Sequence, residues 1–312
     1  MYTESYRLAG RTIALKRLEG VPQPGPGNQV MLSAARRVEG DEVLIVGPGS
    51  TMTVLWAIQA GGHVTVWTEN CAEAASLRAT CRANDLPVPV IVLDAGFAPL
   101  AQTAFDQVML HLPRGRDRQC ELLDLALARL RPDGRLVFAG AKNEGVKPAL
   151  NEARKRFGHA GIVVQKGGYH AGLARRPPGE FESPELTFER NTIIVDGVAT
   201  DLITCTGVFA PGRLDPGTAN LIAGMKISSR TKVLDIGCGA GLAGLTAARR
   251  GAGVIWTDVS ARAVESARRT LLANEITDPQ LHLCHGAQAV EDHSIDTVVT
   301  NPPFHQGHDV NY

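Results

Sequence analysis

An apolar run, Asp296–Thr300, leads into Asn301-Pro302-Pro303-Phe304. Proline fixes φ and carries no amide hydrogen. The carbonyl of Pro302 and the side-chain oxygen of Asn301 therefore form a pair of acceptors at the end of a candidate strand. Two acceptors match the two hydrogens of a planar NH2 group. Held that way, the nitrogen presents its lone pair to an incoming electrophile, so positioning rather than a strong base carries the step. Phe304 offers a flat face on which a base can stack. Asn301, Pro302 and Phe304 are the candidate catalytic residues. The plain alternative is a proline-bent loop that ends a strand.

A second constellation lies upstream, in Val233-Leu234-Asp235-Ile236-Gly237-Cys238-Gly239-Ala240-Gly241. Glycines after a buried strand let the chain turn tightly and let a ligand approach closely. The amides of a following helix N-terminus are then expected to face that ligand. A dinucleotide loop needs glycine at the first, third and sixth positions, but here the sixth is Leu242. Asp235 also sets a carboxylate where a pyrophosphate would be repelled. A cationic ligand fits better, and S-adenosylmethionine carries an ammonium and a sulfonium with no phosphate. Asp258 stands 19 residues after Gly239, at the end of the next strand. A carboxylate there accepts hydrogen bonds from both ribose hydroxyls, which suits NAD as well as S-adenosylmethionine.

An internal repeat supplies the elements that position these residues. Val43–Ser50 and Val233–Ala240 match at an offset of 190, as do Asn84 with Asn274, His111 with Asn301 and Gly27 with Gly217. Val66-Trp67-Thr68-Glu69 matches Ile255-Trp256-Thr257-Asp258 at 189. That alignment puts Glu69 at the ribose-acid place and makes Trp67 and Trp256 equivalent core residues. In each copy short apolar runs alternate with helical stretches, which implies right-handed βαβ units and a mainly parallel sheet. Arg131-Pro132-Asp133-Gly134 reads as a turn before a fifth strand. The Pro/Gly stretch at 175–179 separates a domain over 1–180 from one over 181–312. The first copy runs on to that stretch after His111, whereas the second ends nine residues after Pro303. The second domain is therefore expected to be shortened at its C-terminus. At the catalytic positions the first copy has Ile45 for Asp235 and His111 for Asn301, so it is expected to keep the fold without the chemistry.

Asp-Ile-Gly-Cys-Gly-Ala-Gly with Asn-Pro-Pro-Phe-His resembles the class I S-adenosylmethionine-dependent methyltransferases that modify amino nitrogens. The tandem copies resemble the ribosomal RNA guanine-N2 methyltransferases of the RsmC type, as do Gly207-Val208-Phe209 and Leu214-Asp215-Pro216-Gly217-Thr218. The resemblance implies an α/β protein of two tandem Rossmann-like methyltransferase domains. It implies S-adenosylmethionine as cofactor and a guanine of ribosomal RNA, of the 16S small-subunit kind, as substrate. The partner would be that RNA, free or in an assembled or partly assembled subunit. Asp235, Gly237 and Gly239, with Cys238 in the same loop, would line the amino-acid part of the cofactor. Asp258 would hold its ribose and Val259 would lie beside the adenine, with Gly286 and Ala287 near the same ring. Asn301, Pro302 and Phe304 would hold the guanine, which must be unpaired or flipped out to enter. A protein glutamine-amide methyltransferase and a non-catalytic RNA-binding or assembly protein are the alternatives.

Composition fits this frame. The 312 residues carry 32 Lys plus Arg against 32 Asp plus Glu, so the chain as a whole is not a strongly basic nucleic-acid binder. The basic residues are concentrated locally. Arg114 and Arg116 follow the degenerate loop, and Arg154, Lys155 and Arg156 sit in a basic stretch opposed by Glu144 and Glu152. These five are the candidate RNA-binding residues, the alternative being a solvated helix face. The six cysteines form no CxxC and read as reduced thiols. The HxxH pairs His282/His285 and His305/His308 lack an obvious third ligand, so no metal is expected. The N-terminus has no signal-like apolar region and no segment has the length of a membrane span, which suggests a cytoplasmic protein.

Overall fold

The computed structural model describes residues 1–36 and 38–302. The chain forms two units, Met1–Leu186 and Thr187–Tyr312, so the boundary falls after Leu186 rather than at 180. In the first unit the elements run β1 (Tyr2–Leu8), β2 (Arg11–Arg17), α1 (Pro26–Ala34), β3 (Glu42–Val46), α2 (Thr51–Gln59), β4 (His63–Thr68), α3 (Cys71–Ala83), β5 (Val90–Leu93) and β6 (Phe105–His111). They continue with α4 (Arg116–Arg129), β7 (Leu130–Ala141), α5 (Val146–Phe157), β8 (Ala160–Lys166) and β9 (Tyr169–Arg175). Seven strands form one sheet in the order β5-β4-β3-β6-β7-β9-β8. β3 to β7 pair in parallel, and β9 and β8 close the edge antiparallel.

The central strand shows why the sheet is buried on both faces. Val43 and Ile45 enter one core cluster, and Leu44 and Val46 enter the other. A parallel strand covered by helices on both sides needs such an unbroken apolar run. The expected turn at Arg131–Gly134 is instead a bulge within β7. Leu130 lies opposite Phe105 and Arg135 opposite Gln107. Asp133 takes the left-handed conformation (φ 61°) inside the bulge, and buried Leu130 anchors its start.

The second unit repeats the plan: β10 (Glu189–Val195), β11 (Val198–Thr204), α6 (Pro216–Gly224), β12 (Lys232–Ile236), α7 (Leu242–Arg249), β13 (Gly253–Asp258), α8 (Ala261–Ala273), β14 (Gln280–Leu283) and β15 (Thr297–Thr300). Its strands lie β14-β13-β12-β15, all parallel, as β5-β4-β3-β6 do in the first unit. No helix among the described residues is long and apolar enough to cross a membrane.

Strand register corrects the sequence alignment by one residue. Val43 faces Val64, and Val233 faces Val254, so the second strands also repeat at 190. Thr68, not Glu69, therefore stands where Asp258 stands. The turn confirms it: Asn70 donates its amide to Thr68 Oγ1 (3.1 Å), and Ser260 donates to Asp258 Oδ1 (2.8 Å). Glu69 instead binds the Arg118 guanidinium (2.6 Å).

The two tryptophans are likewise not equivalent, because a slip of one residue changes the face of a strand. Trp256 aligns with Val66 and packs against α7 at Gly244. A Cβ on Gly244 would lie 2.1 Å from the Trp256 indole nitrogen. The first unit makes the opposite exchange, with Val54 on the helix and Val66 on the strand, both buried. Trp67 points to the other face, 4.8 Å from the Phe97 ring, and donates its indole N–H to the Gly96 carbonyl (2.8 Å).

Two hairpins, β1–β2 and β10–β11, come in addition to the elements expected from the sequence. Each is tied to the long helix of its own unit by an asparagine. Asn84 accepts from the Ala14 amide and donates to the Ala14 carbonyl, both at 2.9 Å. Asn274 does the same with Asp201, at 3.2 and 2.7 Å. The hairpins repeat at 187 rather than 190, because the loop from hairpin to helix is three residues longer in the second unit (205–215 against 18–25).

Candidate active site

A cavity of about 360 Å³ opens at the C-terminal ends of β12, β13 and β15. That end of a parallel sheet is where loops and helix N-termini converge on ligands. The longer hairpin-to-helix loop forms one wall, and its Phe209 is 60% exposed. Asp235, Gly237, Cys238, Gly239, Asp258, Val259 and Asn301 all line the same cavity.

Two carboxylates lie in its floor. Asp235 is buried and accepts a hydrogen bond from the Gly244 amide (2.8 Å). Burial, reinforced by the nearby Asp258 charge, pushes its carboxyl up to about 7. Asp258 accepts from the Gly239 amide (3.0 Å) through one oxygen and from the Ser260 amide (2.8 Å) through the other. Burial raises it too, against the pull of those amides.

Four amides of the glycine loop and of the first turn of α7 already have protein acceptors. Gly237 and Cys238 donate to the Thr257 carbonyl, at 2.8 and 3.1 Å, and Gly239 and Gly244 donate to the two aspartates. These four amides are committed to protein oxygens at ordinary hydrogen-bond distances. An anion-binding nest needs free amides. This loop offers a ligand carboxylate oxygens instead, which favours a cation and hydroxyl donors over a phosphate.

At the end of β15, Asn301 is fixed by α6. Its Nδ2 donates to Asp215 Oδ2 and to Thr218 Oγ1, both at 3.0 Å. Asp215 also caps α6 by accepting from the Thr218 amide (3.1 Å). A carboxylate only accepts, so it selects the nitrogen of the asparagine amide. Oδ1 is thereby left for another partner. Gly217 makes the approach possible, since a Cβ there would lie 2.8 Å from Asn301 Oδ1. Asp215, Thr218 and Phe209 line the cavity without having been singled out as site residues. The available signal was Asp215-Pro216-Gly217-Thr218, an N-cap aspartate followed by proline at the first helical position.

Gly286 and Ala287 follow β14 and are not among the residues lining the cavity. Pro302 is described and exposed, while Phe304 and the pair His305/His308 lie outside the described residues. Among the described residues no cluster of three or more His, Cys, Asp or Glu side chains is placed to hold a metal ion.

In the first unit four of the five expected RNA-binding residues are held in ion pairs. Arg114 pairs with Glu144 (2.8 Å). Arg116 (2.7 Å), Lys155 (3.0 Å) and Arg156 (2.8 Å) converge on Glu152, whose carboxyl they hold at about 2. Arg156 also pairs with Asp124 (2.6 Å), an acid the sequence reading did not count. Arg154 donates its Nε to the Ala160 carbonyl (3.0 Å).

Residues 199–312 match the family described as methyltransferase small domain. The chain is 33% identical over 215 residues to the ribosomal RNA small subunit methyltransferase C of Hahella chejuensis, covering 66% of this chain and 61% of that protein. It is 31% identical over 236 residues to the protein of that name from Pseudomonas putida, covering 71% and 69%. The aligned region thus spans 61% of the first relative's length, less than two thirds. Among solved structures, the T. thermophilus 16S rRNA N2 G1207 methyltransferase, in complex with AdoMet and guanosine, superposes with a TM-score of 0.81 at 25% identity. That match covers 98% of this chain and 81% of the other. By sequence and by fold, the chain belongs to the ribosomal RNA small subunit methyltransferase C family.

Proposed function

We propose that this chain methylates the exocyclic N2 amine of a guanine in ribosomal RNA, of the 16S small-subunit kind, with S-adenosylmethionine as donor. The observation that carries this reading is the convergence of Asp235, Asp258 and Asn301 on one cavity. The related protein solved with AdoMet and guanosine supports it. The cavity walls fit the donor: carboxylate oxygens face it, and the loop amides are already committed. Asp235 would meet the ammonium, beside Gly237, Cys238 and Gly239. Asp258 would accept from the ribose hydroxyls, and Val259 would flank the adenine. Gly286 and Ala287 would approach that ring from the loop after β14.

When bound, S-adenosylmethionine supplies an electrophilic methyl group on a sulfonium. The chain's own residues orient the acceptor. Asn301 Oδ1, kept free by Asp215 and Thr218, accepts one hydrogen of the guanine amine, and the Pro302 carbonyl accepts the other. Phe304 would stack on the base. The nitrogen lone pair then forms the new N–C bond as the C–S bond breaks. Sulfur keeps the bonding electrons, and the amine loses a proton to solvent. Asn301→Ala should leave donor affinity unchanged in calorimetry and remove transfer of labelled methyl to RNA. Retained transfer would overturn the role of Asn301.

The first unit is proposed to retain the fold without methyl transfer and to contribute RNA contacts. Ile45 and Thr68 at the two carboxylate positions support the first half of that reading. The site of action would be that of ribosomal RNA, the cytoplasm.

A further inference from the structure

Two sets of cations lie about α5 and the loops beside it. Arg114, Arg116, Lys155 and Arg156 are neutralised by Glu144, Glu152 and Asp124. Among the described residues, Lys142 and Lys147 pair with no carboxylate. Arg154 commits only its Nε, to a carbonyl. These three unquenched cations line one groove of about 470 Å³. Lys147, Asn151 and Arg154 lie at i, i+4 and i+7 on α5, which puts them on one face of the helix. Gln165 on β8 and His170 on β9 line the same groove. Among the described residues no carboxylate lines it, and the buried Nδ1 of His170 has no hydrogen-bond partner there.

We propose that this groove binds the phosphodiester backbone of an RNA strand. Lys147 and Arg154 are seven residues apart, roughly 10 Å along the helix, so the two ends of the groove meet different phosphates rather than one ion. Asn151, Gln165 and His170 offer neutral polar groups between them. Phosphate contacts of this kind set register and orientation without reading sequence. The proposal rests on RNA being the substrate, and it moves the contact surface away from the neutralised arginines.

The test is the salt dependence of binding of a short fluorescein-labelled single-stranded RNA to the full chain, followed by anisotropy. Lys142 and Lys147 are exposed, so Lys142→Ala/Lys147→Ala should fold. Each phosphate contact contributes about 0.7 to the slope of log K against log salt for single strands. The double variant should therefore lose about 1.4 from that slope. Arg7→Ala/Arg11→Ala on the exposed β1–β2 hairpin removes the same charge and should leave the slope nearly unchanged. An unchanged slope in the lysine variant, or an equal loss in the hairpin variant, overturns the groove alone. Absence of binding by the unsubstituted chain overturns both the groove and the RNA reading. Displacement of the RNA by millimolar inorganic phosphate at constant ionic strength would make the groove a site for the free anion and overturn the backbone assignment.

Discussion

The two units share strand order, register and a glycine loop, yet one encloses a cavity of about 360 Å³ and the other about 10 Å³ at the same place. The difference lies in what fills the space beside the glycines. Among the described residues, a Cβ on Gly237 or Gly239 would meet nothing within 4 Å. A Cβ on Gly47, the equivalent of Gly237, would lie 1.9 Å from the His111 carbonyl oxygen, so the end of β6 presses on the loop. His111 takes the place of Asn301 and is buried, with Nε2 2.8 Å from Thr53 Oγ1. Burial drives its imidazole down to about 4, so it stays neutral. Thr53 donates on to Asn28 Oδ1 (3.1 Å), and Asn28 occupies the place of Thr218. The half-open polar cluster of the second unit is a closed buried network in the first. Glycine thus permits a ligand site, and the neighbours decide whether one exists.

Removing the carboxylate that distinguishes the units should have the largest effect. Asp258→Ala takes away the acceptor that Thr68 cannot replace. It should weaken S-adenosylmethionine binding by more than about 100-fold, the scale of two lost charge-assisted hydrogen bonds. Unchanged calorimetric affinity would sink the cofactor assignment. Next comes Asp215, whose equivalent in the first unit is Gly25. Asp215→Ala frees the Asn301 amide to rotate. Turnover should fall by about 10- to 100-fold through misplacement of an acceptor, with donor affinity intact. Asp215→Asn retains a cap and an acceptor and should restore most of the rate. A loss confined to thermal stability in both variants would reduce Asp215 to a helix cap.

The sequence showed the repeat, the glycine loop, Asp258 and Asn301, because each of these is a local run with its own chemistry. The one-residue slip at Glu69 arose because Trp-Thr matches Trp-Thr by identity and Glu follows one as Asp follows the other. Pairing with β3 obeys the two-residue period of a strand and places Thr68 there instead. Asp215 was visible as a helix cap, but its partner lies 86 residues away. No local pattern reveals a contact at that distance. The basic stretch was legible as charge. Which of its cations are neutralised depends on Asp124 and Glu152, brought together by packing of α4 against α5.

The acid beside the glycine loop also differs between the units. In the first unit Glu73, from α3, accepts from the Gly49 amide (3.4 Å) and from Thr68 Oγ1 (3.1 Å). It thereby replaces the carboxylate that Asp258 offers to Gly239. Burial pushes Glu73 up to about 7 from 4.5. A raised folded-state value means that the protonated acid favours the native state. Its contribution is fully present below the unfolded value of 4.5 and is lost as pH rises through 7. The first unit should therefore lose about 2 kcal/mol of stability between pH 5 and 8 on account of this group. Glu73→Gln should flatten that dependence in chemical denaturation, and an undiminished slope would mean that Glu73 ionises freely in the native state.

Asp235 is raised to the same range, but it lines a cavity, so its titration should appear in binding rather than in stability alone. A cationic ligand favours the ionised carboxylate. Around pH 6 most of the population is protonated, and a ligand ammonium must displace that proton before pairing. Near pH 8 the carboxylate is already charged. Donor affinity should therefore rise about tenfold from pH 6 to 8, the limit for one group titrating near 7. The ligand's own amine titrates near the top of this window, so the comparison must be internal. Asp235→Asn retains an acceptor for the Gly244 amide and removes the ionisation, leaving only the dependence that belongs to the ligand. If the two proteins follow parallel pH curves, Asp235 does not meet the ammonium. Its place in the site would then be structural, as Ile45 is at the equivalent position of the first unit.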